Sequence, residues 1–519
     1  MKLSRRDFIK RAAITGAGVA LLPRIAWPFN QSPLGIKKFV TGLPGLGPAG
    51  ANELGNYIAA LAADTTTYPG TDYYEIVAKQ FSQTIYNQGR ATLSPKFWGY
   101  ADKKTGKSTY LGGLIVATRA RPVKIKAYNG LPMAHILPVD LTQMDLNEPK
   151  DRFDRIAVHL HGGLVQWQND GGPYAWYSNA ANQGGFVHGS SFMNGADPGA
   201  AIYDYPNNQS ARLQWYHDHA HGLTRLNAYA GIATGYLITD AAEAGLIDAG
   251  VLPNLLGGLY TYGIPLVIQD KGFWDPASND PGYASVAPGA VKGSLWYPHV
   301  YEVNNPGNSE LLSDPNLCAG GTGRWDRGPA TSDLPPVSAV AEAFFDTNLV
   351  NGAPYPTITL PPGRFRFRLL NGSQARFYNL QAYVKDGNAD GISLAPLPSG
   401  EVDPNGNPIL APTNPAGPAF IQVGNEGGFL PAPVVFSRDG TNVNSNRVMG
   451  FDLDPNSPTV GNATQFNLLL APAERADIIM DFRGYEGQTI VIYTSNWLEG
   501  LLLCAFYLML AVGTFFPPA

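Results

Sequence analysis

Trp215-Tyr216-His217-Asp218-His219-Ala220-His221-Gly222-Leu223-Thr224-Arg225 carries three of the eight histidines in this 519-residue chain. Two more stand upstream in Val158-His159-Leu160-His161-Gly162-Gly163. In a β-strand, side chains at i and i+2 share a face. Each His-x-His pair therefore aims two imidazoles the same way, and two neighbouring strands can offer four nitrogens to one spot. Imidazole is the commonest metal-binding side chain and suits zinc, copper, iron and nickel. The two pairs predict a pair of strands and a metal site on them.

The surrounding text supports strands. Glycine (59) and proline (43) are abundant and only 15% of residues are charged. Short apolar runs alternate with Gly/Pro/Asn/Asp clusters, which predicts an all-β chain of two or three domains. Strands are expected near Tyr73–Tyr86, where no clean period is visible, and near Tyr110–Arg119. Val123–Tyr128, Arg155–His161, Leu213–His219 and Asn227–Thr239 follow, then Ile264–Gln269, Arg364–Leu370, Phe377–Tyr383, Phe466–Leu470 and Arg475–Asp481. Arg364-Phe365-Arg366-Phe367-Arg368-Leu369 alternates strictly, as in a sheet with one wet face. Segments near 275–340 and 384–418 read as long surface insertions. A net charge of −5 marks no nucleic-acid or acidic-membrane partner. Two cysteines, Cys318 and Cys504, cannot form a disulfide framework.

The ends read differently. Ser4-Arg5-Arg6-Asp7-Phe8-Ile9-Lys10 precedes an apolar run from Ala12 to Leu22. A positive start, a twin arginine and a moderately apolar core read as a twin-arginine export signal over residues 1–30. That predicts a periplasmic or extracellular protein. Leu501–Phe516 is a mostly apolar run, shorter than the roughly 20 residues of a membrane helix. A frame-shifted end, a buried strand pair and a membrane tail are the three readings of it.

The flanks of the two His pairs resemble the multicopper oxidases of the laccase, bilirubin oxidase and spore-coat laccase type. Val158-His159-Leu160-His161-Gly162-Gly163 is similar to the first copper motif of that family. Trp215-Tyr216-His217-Asp218-His219, followed by Thr224-Arg225-Leu226-Asn227 and Tyr229-Ala230-Gly231, is similar to the second. Leu131-Pro132, Asp170-Gly171-Gly172-Pro173, Arg366–Ser373, Glu426-Gly427-Gly428 and Ala473-Glu474-Arg475-Ala476-Asp477 extend the likeness, which covers about residues 110–485. The resemblance implies cupredoxin-like Greek-key β-barrels, two here of a normally three-domain architecture. They would span 31–250, with both His-x-His motifs, and 251–490, before an atypical tail at 491–519. It also implies a type 1 copper that takes electrons from a phenolic or similar small-molecule donor, or a metal ion. A type 2 copper and a type 3 pair would then reduce O2 to water. By the same resemblance His159 would bind the type 2 copper, His161 and His217 would share one type 3 copper, and His219 would bind the other.

The sequence then departs from the family. No histidine follows His299, and Cys504 is flanked by Leu503 and Ala505, so no type 1 ligand set is present. The type 2 and type 3 sites would be only partly furnished, and a chain of this kind is expected to be inactive alone. A separate chain supplying the third barrel is one partner the reading allows. The alternative is a non-enzymatic exported cupredoxin-like envelope protein, but such relatives lose the His pairs. Among the other candidates, Asp218 is open to three readings: a residue that orients a histidine, a proton relay, or a plain exposed strand carboxylate. His221 reads as a second-layer or solvated histidine. His135, His188 and His299 read as ordinary loop histidines, and Met133 and Trp167 as packing residues.

Overall fold

Alternation of burial, more than alternation of residue type, marks the strands of the amino-terminal half. The computed structural model describes Ser32 and residues 35–89, 91–141, 152–182, 197–277, 283–298, 300–303, 324–326, 338–340, 345–396, 410–436 and 468–494. Asp72–Ser82 (β1) buries every second residue over its first seven positions, although its sequence mixes polar and apolar groups. Its inward positions are Asp72, Tyr74, Ile76 and Ala78, and the polar atoms of the first two hide the period from a simple reading. Lys96–Asp102 (β2), Ile115–Thr118 (β3) and Val123–Gly130 (β4) follow. The last runs on through Asn129-Gly130, two residues beyond the expected strand. Val158–His161 (β5), Ala200–Tyr205 (β6) and Arg212–Asp218 (β7) come next.

Asn227–Thr239 is not one strand. Thr224–Ala230 is a helix (α1), Gly231 turns with φ of 120°, and only Ala233–Thr239 (β8) is extended. One four-stranded sheet runs β2–β1–β4–β6 and a second runs β3–β8–β7–β5. They enclose a core that includes Ile76, Trp98, Tyr100, Ile125, Tyr203 and Tyr216. A short helix, Ala241–Asp248 (α2), leaves this barrel, with the Asp240 side chain capping Glu243 N. The signal was present in Asp240-Ala-Ala-Glu243, an acidic cap three residues before a glutamate.

The second barrel has a larger sheet. Ile264–Phe273 (β9), Thr347–Val350 (β10), Arg364–Asn371 (β11), Phe420–Asn425 (β13), Gly428–Phe436 (β14) and Arg475–Asp481 (β16) pair in the order β10–β9–β11–β16–β13–β14. Against it stand Tyr378–Val384 (β12), Leu468–Leu470 (β15) and Ile490–Thr494 (β17), ordered β15–β12–β17. The chain is all-β with two cupredoxin-like barrels. β17 continues to Thr494, so the first residues of the expected tail are strand. The leader, the apolar run at 501–516, His188 and His299 lie outside the described residues. Among the described residues no helix is long and apolar enough to cross a membrane.

The alternating strand β11 has no wet face beyond its first residue. Arg366 and Arg368 are buried, and Glu243 of α2 and Asp477 of β16 take their charge. Arg366 Nη2 lies 2.6 Å and Arg368 Nη1 2.9 Å from Asp477 Oδ2, and Arg366 Nη1 lies 2.8 Å from Glu243 Oε1. Arg368 Nη2 also donates to Glu243. Alternation of charge with phenylalanine looked like solvent exposure because the partners are far away in sequence.

Candidate metal centre

β5 and β7 are antiparallel neighbours. His159 stands opposite His217, His161 opposite Trp215, and Val158 opposite Asp218. Residues directly opposite in an antiparallel pair share a face, so three histidines and Trp215 crowd one side. His219 lies just past the end of β7, where its backbone N–H donates to Ala157 O at 2.8 Å and keeps it beside β5.

The rings converge. His161 Nδ1 lies 3.2 Å from His217 Nε2. One donor atom from each of His159, His161 and His217 falls within 4.8 Å of the others. The His219 ring is 4.7 Å from that of His159 and 5.9 Å from that of His217. Metal–nitrogen bonds of about 2 Å put two donors of one ion roughly 3–4 Å apart, so the 3.2 Å pair has the spacing of two ligands on one ion. Burial pushes His217 down to about 3 and His161 down to about 4, the second helped by the nearby cation Arg475. Burial also lowers His219. His161, His217 and His219 are therefore held as neutral imidazoles, the protonation state that binds metal. His219 Nδ1 is buried with no partner among the described residues. A convergent, all-nitrogen donor set fits copper, and equally a borderline ion such as zinc.

Neighbouring groups fix which nitrogen is free. His159 Nδ1 sits 2.6 Å from the Asp170 carbonyl and 3.4 Å from Asp170 Oδ1. His217 Nδ1 sits 2.6 Å from the Asp218 carbonyl. A ring that donates from Nδ1 leaves Nε2 to point inward. Asp170 reaches His159 because the next residue is glycine. Gly171 has φ of 67°, and a Cβ there would lie 2.0 Å from Val158 O. Trp215 stacks on His161 at 5.1 Å between ring centres and lies tilted against His217 at 4.3 Å, which restricts both imidazoles.

Asp218 is not an exposed strand carboxylate. It is fully buried, accepting from Ala157 N at 2.9 Å through Oδ1, and from Ala220 N at 3.2 Å and Asn227 Nδ2 at 2.9 Å through Oδ2. Burial outweighs these hydrogen bonds and raises its carboxyl to about 7. The contacts tie the end of β7 to the residue before β5 and to α1, and so fix the spacing of the two pairs. Asn227 also meets His135, whose Nε2 is 3.0 Å from Asn227 Oδ1 and whose Nδ1 accepts from Leu137 N. His135 is buried and pushed down to about 3 by that burial.

The other expectations divide. His221 lies outside β7, its backbone bonded to Pro173 O and its ring stacked on Tyr174 at 4.8 Å. Met133 is half-buried. Trp167 is 68% exposed and so is not a packing residue; it sits in a short 3₁₀ turn after β5, where the chain leaves the barrel. Sequence reasoning gave no role to Asp170, Asn227 or Arg475. The signal was the flanking text that holds them, whose meaning depends on loops folding back onto β5 and β7.

Fold and site together define a cupredoxin-like protein with an all-imidazole cluster on one strand pair of its first barrel. The chain is 30% identical over 462 residues to a laccase of Bacillus stratosphericus, covering 89% of this chain and 62% of that one. It is 29% identical over 424 residues to a laccase of Bacillus subtilis (strain 168), covering 82% and 57%. A solved laccase from Pediococcus acidilactici aligns over 90% of this chain and 61% of its own at 17% identity and a TM-score of 0.47. No family model matches. The curated relatives it matches are laccases and multicopper oxidases, and the chain is similar in sequence to that family. It spans about three fifths of the length of the curated relatives it matches.

Proposed function

We propose that His159, His161, His217 and His219 hold part of a copper cluster in an oxidase that takes electrons from phenolic or similar small-molecule donors and passes them to O2. The observation that carries this is the convergence of three imidazole donors within 4.8 Å on two adjacent strands. Copper bound there would supply the one-electron steps that together reduce O2 to water. The residues of this chain do the rest. The Asp170 and Asp218 carbonyls orient His159 and His217, Trp215 restrains His161 and His217, and Asp218 holds the strands together. His161 and His217 are the pair with the spacing to share one ion. His159 would serve the type 2 position and His219 the second type 3 position.

These four histidines are half of the cluster's usual set. No histidine follows His299, and neither Cys318 nor Cys504 has a histidine neighbour. The 519 residues alone are therefore proposed to take up copper in less than full complement, without sustained turnover. The test is copper per chain, together with O2 uptake on a phenolic donor. We expect bound copper, no continuing O2 uptake and no intense blue absorption. Sustained uptake would sink the half-set reading, and absence of any bound copper would favour a non-enzymatic envelope protein. Arg5-Arg6 ahead of the apolar run supports export by the twin-arginine route, and periplasmic delivery of an Arg5→Lys/Arg6→Lys variant would contradict it.

A further inference from the structure

The second barrel buries three arginines that bear on this question. Arg366 and Arg368 are matched by Glu243 and Asp477. Arg475, at the start of β16 and 5% exposed, is not matched in that way. Its guanidinium donates to backbone carbonyls, Nε to Leu213 at 3.2 Å and Nη1 to Ala473 at 2.6 Å. Among the described residues no carboxylate closes an ion pair with it. Glu426 and Glu474 act on its side chain through space, and Glu426 Oε2 accepts instead from its backbone N–H at 3.1 Å.

Its position is specific. Leu213 lies on β7, two residues before Trp215. A Cβ on Gly162, the residue after His161, would come within 3.0 Å of Arg475 Nη2. The second barrel thus wedges a permanent cation between the strand of the second His pair and the turn that ends the first. Gly162 follows His161 directly, so the guanidinium stands beside the end of β5 that carries a candidate ligand. A buried charge without an ion partner costs stability, and arginine does not shed its proton to escape that cost.

We propose that Arg475 is an electrostatic positioning residue of the histidine site: its buried charge biases bound copper toward the singly charged ion. The inference rests on the copper reading above. A fixed positive charge repels a doubly charged ion twice as strongly as a singly charged one, and the interior screens this poorly. Arg475 would do this from the second barrel, so docking of the two barrels would set the redox preference of a site whose ligands from this chain lie in the first.

The test measures the affinity of the full chain for Cu(II) and, without oxygen, for Cu(I), each against a chromophoric competing chelator. Arg475→Gln should raise the Cu(II)-to-Cu(I) affinity ratio by about tenfold or more. Arg475→Lys, which keeps the charge, should stay near the parent ratio. Glu426→Gln, which removes a neighbouring negative charge, should move the ratio the opposite way. A Lys variant that behaves like the Gln variant would show that the hydrogen-bonding fork matters and the charge does not, which overturns the proposal. So would an unmoved ratio in the Gln variant. Should Arg475→Gln fail to fold, the sign of the Glu426→Gln shift decides. A parent chain that binds neither ion would overturn the copper reading and this inference together, whereas binding with an unmoved ratio overturns this inference alone.

Discussion

Lys271, on β9, is buried at the junction of the barrels, its Nζ donating to Tyr229 O at 2.5 Å and lying 4.2 Å from the Tyr229 ring centre. Burial pushes its ammonium down to about 7, against an ordinary value of 10.5, with Asp270 opposing. The sign follows from proton counting. Above both values the lysine is neutral in either state and costs the fold nothing electrostatic. As pH falls, the unfolded chain takes the proton first, and stability is lost until the folded lysine also charges near pH 7. Stability should therefore rise between about pH 7 and 10, by up to about 1.4 kcal/mol per unit from this group. Lys271→Met should remove that slope. Urea midpoints of parent and variant at pH 7 and 9 compare them, and parallel behaviour would show that Lys271 is already paired and charged.

At the scale of elements, the strand pair β5–β7 is shaped by the loops laid over it. The turn after Asp170 runs so close to Val158 that only glycine fits, and its positive φ is one that a side chain resists. Gly171→Ala should destabilise the first barrel by more than about 1 kcal/mol and draw the Asp170 carbonyl away from His159. Urea unfolding reads the first effect and the 15N shifts of the His159 ring read the second. An alanine variant with parental stability and an unchanged ring would mean the loop has room that its geometry denies. The same dependence on neighbours explains why β1 looked aperiodic and β11 looked half-solvated. In β1 the Asp72 carboxylate and the Tyr74 hydroxyl disguise inward positions as polar. In β11 the arginines are neutralised by Glu243 and Asp477, remote in the chain but adjacent in the fold.

For the whole molecule, that four-residue charge network fastens α2, the segment leaving the first barrel, to the central strands of the second. Burial raises the Glu243 carboxyl, while Arg368 and Arg366 pull it down. Glu243→Gln would leave two buried arginines sharing Asp477 alone, and losing one member of a buried ionic cluster costs about 3–5 kcal/mol. Expected is a lower and less cooperative unfolding transition, with the barrels separating before either melts. Scanning calorimetry together with the near-ultraviolet signal of Trp98 and Trp176 in the first barrel would show it. A single transition at the parental temperature would mean the barrels are held by apolar contact instead.

The sequence alone determined the strand class, the two His-x-His pairs and the face-sharing of each pair. These depend only on local periodicity, which is a property of neighbours along the chain. It also supplied the family likeness, in the text around those pairs. Only the tertiary structure decided that His159 stands opposite His217 and that His219 is held in line from beyond the strand end. It also showed that Asp218 is a buried tie between strands, and that Trp167 is exposed while His135 is not. Register, loop closure and long-range charge pairing come from contacts between residues dozens to hundreds of positions apart, and no local pattern encodes them. Arg475 is the clearest case. Its text was visible beside Glu474 and Asp477, but its place against Leu213 and Gly162 exists only because two barrels dock, burying a cation against the turn that follows His161.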